Sequence, residues 1–326
     1  MHKNLIKISF FFILILTING CSGGNSKQEL IDKAGAPLLS GLGNHTHEVT
    51  SSKDGVQEYF DQGLILAFAF NHAESVRSFK AAQNLDPTCA MCYWGEALAR
   101  GPNINVTSNG KAVMSDEQRV KAFEALGKAK DLMVYSTPQE QAYITALSSR
   151  YDGDISSDRN ALDIAYAVAM EKVVTAYPED MDAASLYSEA LMNTMPWNYW
   201  LDDGKPRSDT VKVISKLEEV LEKEPNHPLA IHLYIHAVEA SNSPERAESA
   251  ADRLGSLVPG AGHLVHMPAH IFWRVGRYHD ASEANINAAK VDEEYIAQCN
   301  AQGFYPAAYY PHNIHFLWAA STMEGR

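Results

Sequence analysis

Eight of the chain's 13 histidines fall between positions 232 and 315, a window of 84 residues out of 326 where composition alone would place about three. Their spacing says more than their number. His232 and His236 are four apart, hence on one face of a helix, and His266 and His270 repeat that pair 34 residues later. His263 and His312 share a second slot, three residues before His266 and His315. Neutral imidazole nitrogens bind borderline metal ions at roughly 2.0–2.1 Å, and neighbouring packed helices lie roughly 8–10 Å apart, so rings from adjacent helices can converge on one point. The pattern marks His232, His236, His263, His266, His270, His312 and His315 as metal ligands, with Zn, Cu, Fe and Ni all suited to imidazole. Glu239, one turn beyond His236, could serve as an oxygen ligand, an orienter of a ligand ring or a general base. A neutral histidine column could instead grip a peptide or glycan by hydrogen bonds.

Other chemistry is thinner. No His-Glu-x-x-His, Gly-x-Ser-x-Gly or phosphate-loop string occurs. Cys89 and Cys92 open a helix, where a local disulfide and a pair of packed thiols are equally open readings and soft-metal capture with Met91 is a third. His45 and His47 suit an extended segment, either a lid over the site or an exposed loop. His227 and His279 read as ordinary hydrogen-bonded residues. Pro196-Trp197-Asn198-Tyr199-Trp200 sets three aromatics in a polar loop, to be a plug or a ligand-stacking rim.

Helices must position these groups. Apolar residues recur at helical spacing along the chain with no sustained β-type alternation, so the fold class is all-α. Pro225 and Pro259 each end a helical segment 34 residues apart, and Pro87 and Pro178 end others in the same way, the signature of stacked helix pairs.

Gly63, Phe79, Ala82 and Pro87 fall at the spacing of one repeat; Ala247, Leu254 and Pro259 fit a second; Gly276-Arg277-Tyr278 with Ala281 and Ala288 fits a third. Val213, Leu217, Val220 and Pro225, and Met170 to Pro178, fit more loosely. Here the chain resembles the tetratricopeptide repeat (TPR) family, over residues 56–326 with interruptions near 101–115, 193–209 and 295–310. The strings Asp86 to Glu96 and His266-Met267-Pro268-Ala269-His270 look like those of a bacterial subgroup of such proteins without an assigned activity. The resemblance implies a right-handed solenoid of antiparallel helix pairs whose first helices line a concave groove. The histidines then sit on that groove, with Glu189 in the slot equivalent to His236 and His270 and a second candidate base.

The chain carries 27 basic against 40 acidic residues, a formal charge of −13, which excludes a general nucleic-acid surface. Residues 1–20, with Lys3 and Lys7 before the apolar run Ile8 to Ile18, read as a signal peptide too short to span a bilayer. Gly20-Cys21 resembles a bacterial lipobox, implying lipid on Cys21, a membrane anchor in the cell envelope, and, with Ser22 following, the outer membrane of a Gram-negative cell. Residues 21–43 then form the lipidated terminus and a tether, and 44–326 the solenoid. Gly276-Arg277 and Gly325-Arg326 are displaced by the same 49 residues as His263 and His312. That displacement predicts that the sequence stops at a hairpin turn as a piece of a longer protein. The expectation is an envelope lipoprotein whose histidine-rich groove binds a transition metal, with Glu239 or Glu189 as base if the ion is catalytic. The alternative is a non-enzymatic scaffold holding peptide, glycan or protein in an outer-membrane assembly or uptake complex.

Overall fold

The computed structural model describes residues 23–326; the signal peptide and Cys21 lie outside them. The described chain is mostly helical, as the spacing predicts, with one two-residue hairpin pairing Thr107–Ser108 with Lys111–Ala112. The helices are α1 (Gly23–Ala34), α2 (Val56–Phe68), α3 (His72–Leu85), α4 (Ala90–Ala99), α5 (Asp116–Leu132), α6 (Pro138–Leu147), α7 (Arg159–Ala176), α8 (Met181–Thr194), α9 (Ser208–Lys223), α10 (Pro228–Val238), α11 (Glu248–Leu257), α12 (Gly262–His266), α13 (Pro268–Arg274), α14 (Tyr278–Cys299) and α15 (Tyr310–Met323). No helix among the described residues is long and apolar enough to cross a membrane.

Local chemistry sets the ends. Thr137 and Glu140 form a reciprocal capping box at α6 with Pro138 in its first turn, satisfying amide donors that the helix cannot. Many helices pack on their neighbours in sequence, among them α2 on α3, α3 on α4, α7 on α8 and α8 on α9, while α12 packs chiefly on α14. Close approach depends on small residues. A Cβ on Gly95 would stand 2.2 Å from the Phe79 ring, far inside van der Waals contact.

Two features depart from an open groove with a flexible tether. The first is closure: α2 also packs on α10, His232 reaches the carbonyl of Phe68, and Tyr295 of α14 donates to Asn71. The wall carrying the histidines is therefore covered by α2 and the turn that follows it. The second is the segment expected to be a tether. It holds α1 and then runs as a strap over residues 35–50, where Gln62 bonds Pro37 and Leu39, Gly260 N–H donates to Gly41, and Thr50 donates twice to Glu140. Each contact satisfies a backbone or carboxylate group that the strap would otherwise bury unpaired.

Candidate metal centre

Helix α10 starts with Pro228 in its first turn and with the His227 ring accepting from the Ala230 amide. It is buried along its whole length, which explains a sequence apolar on every side apart from its two histidines. Those two, with His263 of α12, bring one nitrogen each within 4.8 Å of one another. His232 donates from Nδ1 to Phe68 O at 2.7 Å, and His236 Nδ1 lies 3.0 Å from Glu239 Oε1. Their Nε2 atoms are thereby turned toward His263, whose Nε2 is 3.2 Å from that of His232. Two ligands at a tetrahedral angle on one ion lie about 3.3 Å apart when each is roughly 2.0–2.1 Å from the metal.

His266, His270 and His312 form a second triad, its nitrogens likewise within 4.8 Å of one another. Pro268 separates α12 from α13, since it has no amide proton to continue the ladder, yet His266 and His270 still face each other. His266 Nδ1 sits 2.7 Å from Asn285 Oδ1, and the Asn285 amide group donates to Ala281 O, which fixes the oxygen toward the ring. His270 Nδ1 lies 2.7 Å from Glu239 Oε2. Both rings therefore carry their proton on Nδ1 and are bare at Nε2 when neutral. These two bare nitrogens are 2.9 Å apart. Lone pair against lone pair at that distance is repulsive unless a cation lies between them.

A proton on His266 is disfavoured. Burial, reinforced by the His270 and His312 imidazoles, pushes the His266 pKa well below the ordinary histidine value. Burial first and neighbouring rings second do the same to His232 and His263, and His312 is pushed down to about 4 by the same causes. Glu239 behaves oppositely. Burial alone would raise its carboxyl, but His270 and His236 hold it well below its usual range. His236 Nε2 is buried with no hydrogen-bond partner in the protein, a lone pair that needs an occupant.

Strain gathers at the same place. Phe70 and Trp197 have φ of 56° and 61°, a region costly for bulky side chains. Phe70 packs on His232, His236 and His263 with centroids 4.6, 6.4 and 5.5 Å away, and Trp197 stands edge-on to His236 at 5.1 Å. The aromatic loop is thus a plug on α10, anchored by the Trp200 indole donating to Ala237 O, with Trp197 as its rim over the first triad.

Six of the seven histidines expected as ligands come together, and His315 does not. It lies exposed beside Trp318, offset by about 60° around α15 from His312. Glu239 has both oxygens committed to ligand rings, so it positions imidazoles and is not free to act as a base. Glu189 is directed elsewhere, with Arg150 as its charged neighbour and Asn193 as its hydrogen-bond donor, and burial pushes its pKa up. Cys89 and Cys92 are disulfide-bonded at the start of α4. His45 and His47 neither line the triads nor hang free: they clamp Asp182 from the strap. Sequence reasoning missed Asn285, Phe70 and Asp182. Asn285 carried a usable signal, being a polar residue at an inward position of α14, whereas the other two could be found only through tertiary contact.

No known protein family matches the chain, and no curated protein matches it.

Proposed function

We propose that this chain is a metal-binding helical-repeat protein of the bacterial envelope, anchored by lipid at Cys21, whose core histidines hold a transition-metal ion. One observation carries the metal reading: His266 and His270 oppose bare Nε2 atoms at 2.9 Å while hydrogen bonds to Asn285 and Glu239 hold the proton of each ring on the far nitrogen. Ligand histidines in metal proteins are held in this way, one nitrogen donating to a carboxylate, amide or carbonyl oxygen and the other facing the ion. Nitrogen-only donation suits Cu, Zn, Ni or Fe, and three ligands leave a tetrahedral ion one open position at which water would be acidified. The 34-residue recurrence of the histidine pair supports a TPR-like origin for the scaffold, and the leader ending at Gly20-Cys21 supports the envelope address.

Elemental analysis of purified protein, before and after dialysis against each metal, tests the reading. Tight stoichiometric uptake of a transition metal is expected. A folded chain that takes up none at neutral pH would refute it and leave the peptide- or glycan-binding scaffold. For the anchor, Cys21→Ser is expected to accumulate unprocessed or soluble precursor, read by membrane fractionation and intact mass.

A further inference from the structure

We propose that the six core imidazoles form a single two-ion centre, one ion in each triad, with one small anionic ligand of two or three heavy atoms between them. This rests on the metal reading above and goes further in the number of ions and in what they take.

Six nitrogens are more than one ion of this class binds from protein, since such sites use three or four. The nitrogens divide on geometry. His232, His236 and His263 are mutually within 4.8 Å, and so are His266, His270 and His312. The two groups adjoin: His236 lies 5.6 Å from His270 and His263 lies 5.8 Å from His266, centroid to centroid. Glu239 ties them together, accepting from His236 of one triad on Oε1 and from His270 of the other on Oε2. A single carboxylate thus sets the orientation of one ring in each group, which separate sites would not require. Because both its oxygens are occupied by ring N–H groups, Glu239 does not bridge the ions, and a bridge would have to come from outside the protein.

Charge and burial define that ligand. Two divalent ions on six neutral imidazoles put four positive charges in a largely buried site, and among the described residues Glu239 is the carboxylate hydrogen-bonded to the ligand rings. Uncompensated buried charge is costly, so an anion shared by the ions is favoured. The rings admit little else: His232 and His266 are fully buried and His236 is 2% exposed, leaving only the His270 and His312 side partly open. Three protein ligands per ion leave one position on each, and one short anion can fill both. Neutral nitrogen donors favour copper most strongly among the candidate divalent ions.

The test is a copper(II) titration of the metal-free full chain, read by elemental analysis after gel filtration and by electron paramagnetic resonance, then by azide addition. Two coppers per chain are expected. The spin intensity at two equivalents should fall clearly below that of two isolated ions, through coupling, and one azide should saturate the optical change for each pair. His232→Ala with His263→Ala should bind one copper with the full signal of an isolated ion, and so should His266→Ala with His312→Ala. One copper per wild-type chain at saturation, or none, overturns the two-ion centre while leaving the metal reading intact; no uptake of copper, zinc, nickel or iron overturns both. Two coppers with additive spin and an azide on each overturn the shared centre. Should a variant fail to fold, the wild-type spin count and azide stoichiometry still decide.

Discussion

The molecule contains two histidine clusters built on opposite principles. In the strap cluster three imidazoles surround one carboxylate: His45 Nε2 lies 2.9 Å and His227 Nε2 3.2 Å from Asp182 Oδ1, and His47 Nδ1 lies 2.7 Å from Oδ2. His227 accepts the Ala230 amide on Nδ1, so its Nε2 carries a proton to donate. In the core the carboxylate stands behind the rings and bare nitrogens face one another. The electrostatics follow. Burial pulls the His45 and His47 pKa values down, but hydrogen bonding to Asp182 and its charge outweigh burial and raise them, whereas His232, His263 and His266 in the core are pushed down. Strap nitrogens and oxygens also lie within ligand reach of one another, yet each has a partner already. The lesson is that crowding of histidines does not identify a metal site; what each nitrogen faces does.

The largest effect expected on this contrast comes from removing one ring of each core triad. His236→Ala with His270→Ala should abolish tight metal uptake, and with it the metal-dependent gain in stability, about 4 kcal/mol at a free metal concentration 1,000 times Kd. Melting curves with and without metal would coincide for the variant and separate for the wild type. Asp182→Ala should next cost about 3 kcal/mol, the low end for breaking a buried charge pair because the strap rings keep some exposure. Urea unfolding would measure it, and metal stoichiometry should stay at the wild-type value; loss of metal here would erase the distinction between the clusters.

Glu239→Gln keeps the shape but lets only the amide oxygen accept from one ring. Metal affinity should fall about 10- to 100-fold, as for other groups that orient ligand histidines, read by competition with a chelator of known affinity. The smallest expected effect is one of pH. Folding raises the His45 and His47 pKa values above the free value near 6.5, so the folded chain binds more protons than the unfolded one between those values. The contribution of the His45 and His47 contacts with Asp182 is complete below about pH 6.5 and is lost as pH rises through the folded values, at most about 1.4 kcal/mol per ring for every tenfold gain in proton affinity on folding. Amide exchange over residues 44–50 of the metal-free protein should therefore be faster at pH 9 than at pH 6, after correction for intrinsic rates, and Asp182→Asn should flatten that difference.

Residue spacing by itself determined the helical class and the common face of each histidine pair, because 3.6 residues per turn leave no freedom once a helix forms. It also carried His263 and His312 to the site, through their recurrence at a second slot. The same logic failed for His315, since a shared slot in the sequence does not ensure that the next helix presents the same side to the same neighbour. Closure of α2 onto α10 was not legible. It depends on the Phe68 carbonyl and the Phe70 ring meeting His232, more than 160 positions away, and it turned an expected open groove into a buried centre. The protonation pattern was equally hidden, because only three-dimensional placement sets Asn285 and Glu239 behind the core rings and Asp182 in front of the strap rings. The histidines, and hence the capacity for metal chemistry, are inscribed in the sequence. Which nitrogens are bare, and therefore able to bind, was decided by tertiary contacts, since a lone pair is freed only when another residue takes the proton on the far side of the ring.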